Sequence, residues 1–168
     1  MSILYKYVLK GSCNVIHVRL ELKSEVAYRV KYLIEVIHEN TKNVIWHREK
    51  TILMGGMRKR DIYDNFYTVC NHNEVGKYKV RLTSEVVGLG IKKTSDTKQT
   101  DYYYVVDIST KGGKVYLAGV PQLPCFVIRR SGKKEKTVLK NGLELKDIVA
   151  VVVGGESVEI GDAGFKGG

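Results

Sequence analysis

A period of two governs the first half of the chain. In residues 15–23, VIHVRLELK, the side chains of Ile16, Val18, Leu20 and Leu22 fall on one side and those of His17, Arg19, Glu21 and Lys23 on the other. Successive side chains of a strand point to opposite faces, so this is a half-buried strand. Residues 26–39, VAYRVKYLIEVIHE, repeat the pattern, with Tyr28, Val30, Tyr32, Ile34 and Val36 inward and Arg29, Lys31 and Glu35 outward. The polar NTKN separates them from VIWHREKTILM, which predicts a hairpin. A helix would need apolar residues at spacings of three and four, and the β-branched and aromatic content disfavours one.

Residues 71–86, NHNEVGKYKVRLTSEV, place Gly76 where the chain turns and then alternate Tyr78, Val80 and Leu82 with Lys77, Lys79 and Arg81. An acidic residue, a glycine and a tyrosine opening an alternating strand (Glu74, Gly76, Tyr78, Val80) resemble the tyrosine corner of immunoglobulin-like sandwiches. The resemblance covers residues 1–90. It implies a structural role for Gly76, Tyr78 and Val80, with Trp46 as a core tryptophan or an interface residue. Val80 stands where an antibody-type domain has its second cysteine, so the likeness is to the disulfide-free members and implies adhesion or assembly rather than chemistry.

Beyond residues 91–100, read as a linker or long loop, the chain stays β-rich. DYYYVVDIS and KVYLAGV flank the turn TKGG, and Pro121 and Pro124 interrupt pairing. Residues 101–168 are therefore expected to form a smaller β module ending in the glycine-rich GDAGFKGG, which is too poor in side chains to pack alone. The fold class expected is all-β: an immunoglobulin-like antiparallel sandwich followed by this module. Because the module offers little core, its apolar run 148–153, IVAVVV, is expected to need a cover. Tyr102, Tyr103, Tyr104, Ile148, Val151 and Val153 are the expected partner-binding residues. Tyrosine supports that reading: with 11 copies against 3 Phe and 1 Trp, it suits positions half core and half interface.

The net charge of +10 favours acidic partners, but 15 Lys and Arg face 9 acids in residues 1–90 and 13 face 9 in residues 91–168, so no basic tail stands out. The densest basic spots name Arg58, Lys59, Arg60, Arg129, Arg130, Lys133 and Lys134 as anion-contacting candidates. Tyr102–Tyr104 with nearby Lys92, Lys93 and Lys98 would be the stacking alternative for single-stranded nucleic acid. Interleaved acids weaken any phosphate track, so protein partners rank first and nucleic acid second.

Cys13, Cys70 and Cys125 lie far apart in odd number, which predicts three unbridged thiols and a reducing compartment. No window is apolar enough for a membrane span and the N-terminus lacks a signal-peptide pattern, so a virion or host-cytoplasm location is expected, without membrane or secretion. The four histidines have no ligand-like neighbours beyond CNH at 70–72, the glycine pairs lack a phosphate-loop pattern, and no serine sits in a nucleophile elbow. The expectation is a non-enzymatic structural subunit without cofactor or metal. Small basic β-sandwiches rich in Lys, Tyr, Ile and Asn resemble bacteriophage virion accessory proteins, such as capsid decoration, tail or connector subunits.

Overall fold

The alternating segments are strands in the computed structural model, which describes residues 1–24, 26–56, 58–88, 94–161 and 164–165. No helix occurs among the described residues. In chain order the strands are β1 (Ser2–Ile3), β2 (Tyr7–Leu9), β3 (Asn14–Ser24), β4 (Ala27–His38), β5 (Val44–Gly55), β6 (Arg58–Val69) and β7 (Gly76–Gly88). They continue with β8 (Thr94–Lys111), β9 (Lys114–Ala118), β10 (Gln122–Arg129), β11 (Lys134–Lys140), β12 (Ile148–Val153), β13 (Glu156–Gly161) and β14 (Gly164–Phe165). The protein is all-β, and most neighbouring strands are antiparallel.

The chain divides into two units. The first comprises residues 1–4, 15–69 and 78–102, and the second residues 5–14, 70–77 and 103–168. This differs from the linear division expected at 1–90, 91–100 and 101–168. The second unit takes two segments from the first half of the chain, and residues 94–100 belong to the long strand β8 rather than to a linker. Leu89–Lys93, which include Lys92 and Lys93, lie outside the described residues.

The first unit is sandwich-like. One sheet has the order β1-β3-β6, and the other runs β8-β7-β4-β5. The period-two pattern sets the register: Tyr28 to Val36 pair with Met54 to Trp46 on β5 and with Gly88 to Val80 on β7. A slip of one residue would turn the whole apolar row to solvent. Ile16, Val18, Val30, Ile34, Val36, Val80 and Leu82 fill the interior, as the alternation predicts.

In the second unit β10, β11, β12, β13 and β14 form an antiparallel sheet of order β11-β10-β12-β13-β14. The C-terminal part of β8 pairs with β9 in a hairpin and with β2 in parallel. This unit has a core of its own, in which Leu123, Val127, Leu139, Ile148, Val151 and Val153 pack with Val106 and Ile108. The expectation that Ile148, Val151 and Val153 await a partner is therefore corrected: their cover comes from the same unit. Strand β2 adds Tyr7 and Leu9, which pack against this core. The Gly154 turn fits closely here, since with φ at +58° a Cβ would stand 2.9 Å from the Tyr7 carbonyl oxygen. The glycine-rich end is also more ordered than expected in one place, because β14 pairs with β13. Residues 162, 163 and 166–168 lie outside the described residues.

Candidate functional site

Strand β6 turns Tyr63, Asn65 and Tyr67 to the interior of the first unit, where a sandwich would ordinarily bury aliphatic residues. The Asn65 amide donates to both tyrosine hydroxyls, at 3.2 Å to Tyr63 and 2.9 Å to Tyr67. Tyr32 of β4 comes from the facing sheet, hydrogen-bonds the Tyr67 hydroxyl, and lies 3.5 Å from that of Tyr63. Burial pushes the Tyr32 hydroxyl pKa up, and the bonds to Tyr63 and Tyr67 reinforce that shift, so the phenol stays protonated. Trp46 packs its edge on Tyr67 with centroids 5.4 Å apart, and the Arg48 guanidinium lies 5.0 Å above its ring. Trp46 is half-buried, so it closes the flank of the sandwich rather than filling its centre.

A second polar node lies in the second unit. His72 and Tyr103 are fully buried. A carbonyl oxygen can only accept, so the 2.6 Å contact between His72 Nδ1 and the Ser12 carbonyl puts the ring proton on Nδ1. Nε2 then accepts from the Tyr103 hydroxyl, also at 2.6 Å. Burial lowers the His72 pKa, opposed by the bond to Ser12, and holds the ring neutral. Beside this node Cys13 and Cys70 form a disulfide, their Cα atoms 4.1 Å apart. That corrects the expectation of three free thiols. The spacing of 57 residues hid the pair, and the fold brings them together where the chain leaves and re-enters the second unit. Cys125 is the free, buried thiol, pushed up to about 11 by burial and so unreactive at neutral pH.

The residues nominated from sequence separate. Tyr103, expected at a partner surface, is corrected to a buried hydrogen-bond donor, while Tyr102 and Tyr104 are half-buried. Tyr104 stacks on Tyr7 at 5.6 Å and packs against the second unit's core. Tyr78 is buried with its ring 5.0 Å from that of His38, and Gly76 has φ +130°, a conformation that favours glycine. Arg60 pairs with Glu21 at 2.8 Å and Arg129 with Glu135 at 2.6 Å, so both are partly neutralised, whereas Arg130 and Lys133 are exposed and Lys134 sits over the Phe126 ring. The side chains of Arg58 and Lys59 lie outside the described residues. No group of three His, Cys, Asp or Glu residues that could hold a metal occurs among the described residues.

What sequence reading missed is on the outer faces. Phe66 is 65% exposed on β6 and stacks on His17 at 4.3 Å with the rings nearly parallel. Asp64 bonds His17 at 2.7 Å and lies 3.7 Å from Arg19, Ile62 is exposed on the same strand, and Leu4 is exposed just after β1. The signal was present: in DIYDNFYTV the phases of Ile62 and Phe66 oppose those of Tyr63 and Tyr67, so both faces of this strand carry large apolar rings or chains. No protein-family model matches the chain, and no curated protein matches it.

Proposed function

We propose that the chain is a non-enzymatic assembly subunit built on an immunoglobulin-like sandwich. In chain order β1, β3, β4, β5, β6, β7 and β8 can be taken as strands A, B, C, C′, E, F and G. The sheets β1-β3-β6 and β8-β7-β4-β5 then match the A-B-E and G-F-C-C′ division of that fold. Tyr78 opens the F strand, the position of a tyrosine corner, and the buried Val80 follows where an antibody domain has cysteine.

The observation that carries the functional reading is the outer face of the β1-β3-β6 sheet. An exposed aromatic, Phe66, and the exposed Ile62 stand on either side of Asp64 on one face of β6, beside the polar His17, Arg19, Glu21 and Arg60. Aromatic residues are enriched where proteins meet, and an exposed ring among polar groups is a usual anchor of such a contact. The likeness to virion accessory proteins directs the proposal towards a repeated capsid decoration, tail or connector subunit. The exposed Cys13–Cys70 disulfide removes the thiol argument for a reducing compartment and suits a released particle. The test is light scattering behind size exclusion over a concentration series. Self-association that is lost in Phe66→Ser supports the proposal, and a monomer at every concentration counts against it.

A further inference from the structure

We propose that the outer face of the β10–β11 hairpin binds single-stranded nucleic acid, with Phe126 as a stacking platform and Lys134, Lys136 and Lys140 as its phosphate contacts. The hairpin register sets Ile128 opposite Lys134, Phe126 opposite Lys136, Pro124 opposite Val138 and Gln122 opposite Lys140. The burial pattern shows which way these pairs point. Leu123, Val127 and Leu139 are buried on one face, while Pro124, Phe126, Lys134, Lys136, Val138 and Lys140 are exposed on the other. One face of the hairpin thus carries an apolar row beside a basic row.

Three features of this face suit a nucleic-acid strand. First, Phe126 is 43% exposed and Val138 42%, so a ring and its apolar neighbour are available to a base. Every base has a π-face, so stacking on such a ring tolerates any sequence. Second, residues two apart on a strand stand about 6.8 Å from each other. Lys134 and Lys136 are thereby spaced like successive phosphates of an extended strand, with Lys140 continuing the row. Lys134 Nζ already rests 5.0 Å from the Phe126 centroid, so the ammonium is held beside the ring that would take the base. Third, the acids of this sheet leave the lysine row free. Glu135 points to the opposite face and pairs with Arg129, and Glu156 accepts from Ser12 at 2.7 Å. Glu159, opposite Ala150 on β13, is three strands away in the sheet order. The net charge of +10 adds long-range attraction for a polyanion.

This site is separate from the Phe66 face, so the two readings fail independently. The probe is fluorescence anisotropy of labelled oligo(dT) and oligo(U) against a duplex of equal length, over a series of sodium chloride concentrations. The single strands should bind more tightly than the duplex. Phe126→Leu keeps an apolar residue on an exposed position, and should weaken single-strand binding about fivefold or more while leaving the salt slope unchanged. Lys136→Gln and Lys140→Gln should each reduce the salt slope by about one unit. Lys111→Gln, an exposed lysine at the β8–β9 turn, is the control and should leave affinity nearly intact. The proposal is overturned if Phe126→Leu binds like wild type, if Lys111→Gln costs as much as Lys136→Gln, or if duplex and single strand bind alike. Self-association through this hairpin face, lost in Phe126→Leu without any oligonucleotide binding by wild type, would also overturn it.

Discussion

Removing the Cys13–Cys70 disulfide by replacing both cysteines with serine should be the most costly single change to the second unit's covalent framework. The two residues are 57 apart, and closing a loop of that length removes about 4 kcal/mol of chain entropy from the unfolded state. That is a large part of the roughly 5–15 kcal/mol by which a domain is ordinarily stable. The full amount applies only to global unfolding. If the second unit opens while the first stays folded, Val15 and Val69 still hold the ends of the loop and most of the gain disappears. Two probes separate these cases, because the chain's one tryptophan, Trp46, belongs to the first unit while far-ultraviolet circular dichroism reads both. With coincident urea transitions and a slope of about 2 kcal/mol/M, the midpoint should fall by about 2 M on substitution or on adding reductant. Both cysteines are exposed, so reductant reaches the bond. Coincident transitions with an unmoved midpoint, or three titratable thiols in the unreduced denatured chain, would refute the reasoning.

Three further outcomes are expected. His72 is held below its ordinary pKa, so the unfolded chain takes up a proton near pH ~6.5 while the folded chain does not. Its contribution to stability is then complete above that value and is lost as pH falls through the lowered folded pKa; a urea-midpoint profile should lose this acid limb in His72→Gln. Tyr78→Phe should destabilise the chain by about 1 kcal/mol in chemical denaturation if the buried hydroxyl is engaged as a tyrosine corner requires, and an unchanged midpoint would reduce Tyr78 to an ordinary strand residue. Gly119→Ala should lower the melting temperature, because φ is +97° and a Cβ would lie 2.4 Å from the Val105 carbonyl oxygen; a backbone atom cannot swing aside as a side-chain tip can.

The strands were legible because their cause is local. Ile16 and Val18, or Tyr32, Ile34 and Val36, identify the inner face by alternation alone, and all five are buried. The second unit was not legible in the same way. Its sheet was visible in the segments after Lys111, but its core is also packed by Tyr7 and Leu9 from β2, and its polar node needs Ser12 and His72, all far away in sequence. Nothing in the pattern of VPQLPCFVIRR announces those partners. The same reason explains the misreading of IVAVVV. A continuous β-branched run signals burial on both faces, but it does not say whether the cover comes from another chain or from residues a hundred positions earlier.

That distinction changes what a fragment can do. Residues 101–168 contain β9 to β14 and much of the second unit's core, yet they lack β2, whose backbone pairs with Tyr104, Val105 and Val106, and they lack the imidazole that satisfies Tyr103. Cutting there strips a parallel neighbour from β8 and removes the imidazole bonded to the Tyr103 hydroxyl, a loss of about 1 kcal/mol before the contacts of Tyr7 and Leu9 with the core are counted. Poor folding of that piece would therefore follow from missing segments of its own chain. It would not by itself point to a missing partner, which is why the assembly reading rests on the solvent-facing Phe66 rather than on the valines of β12.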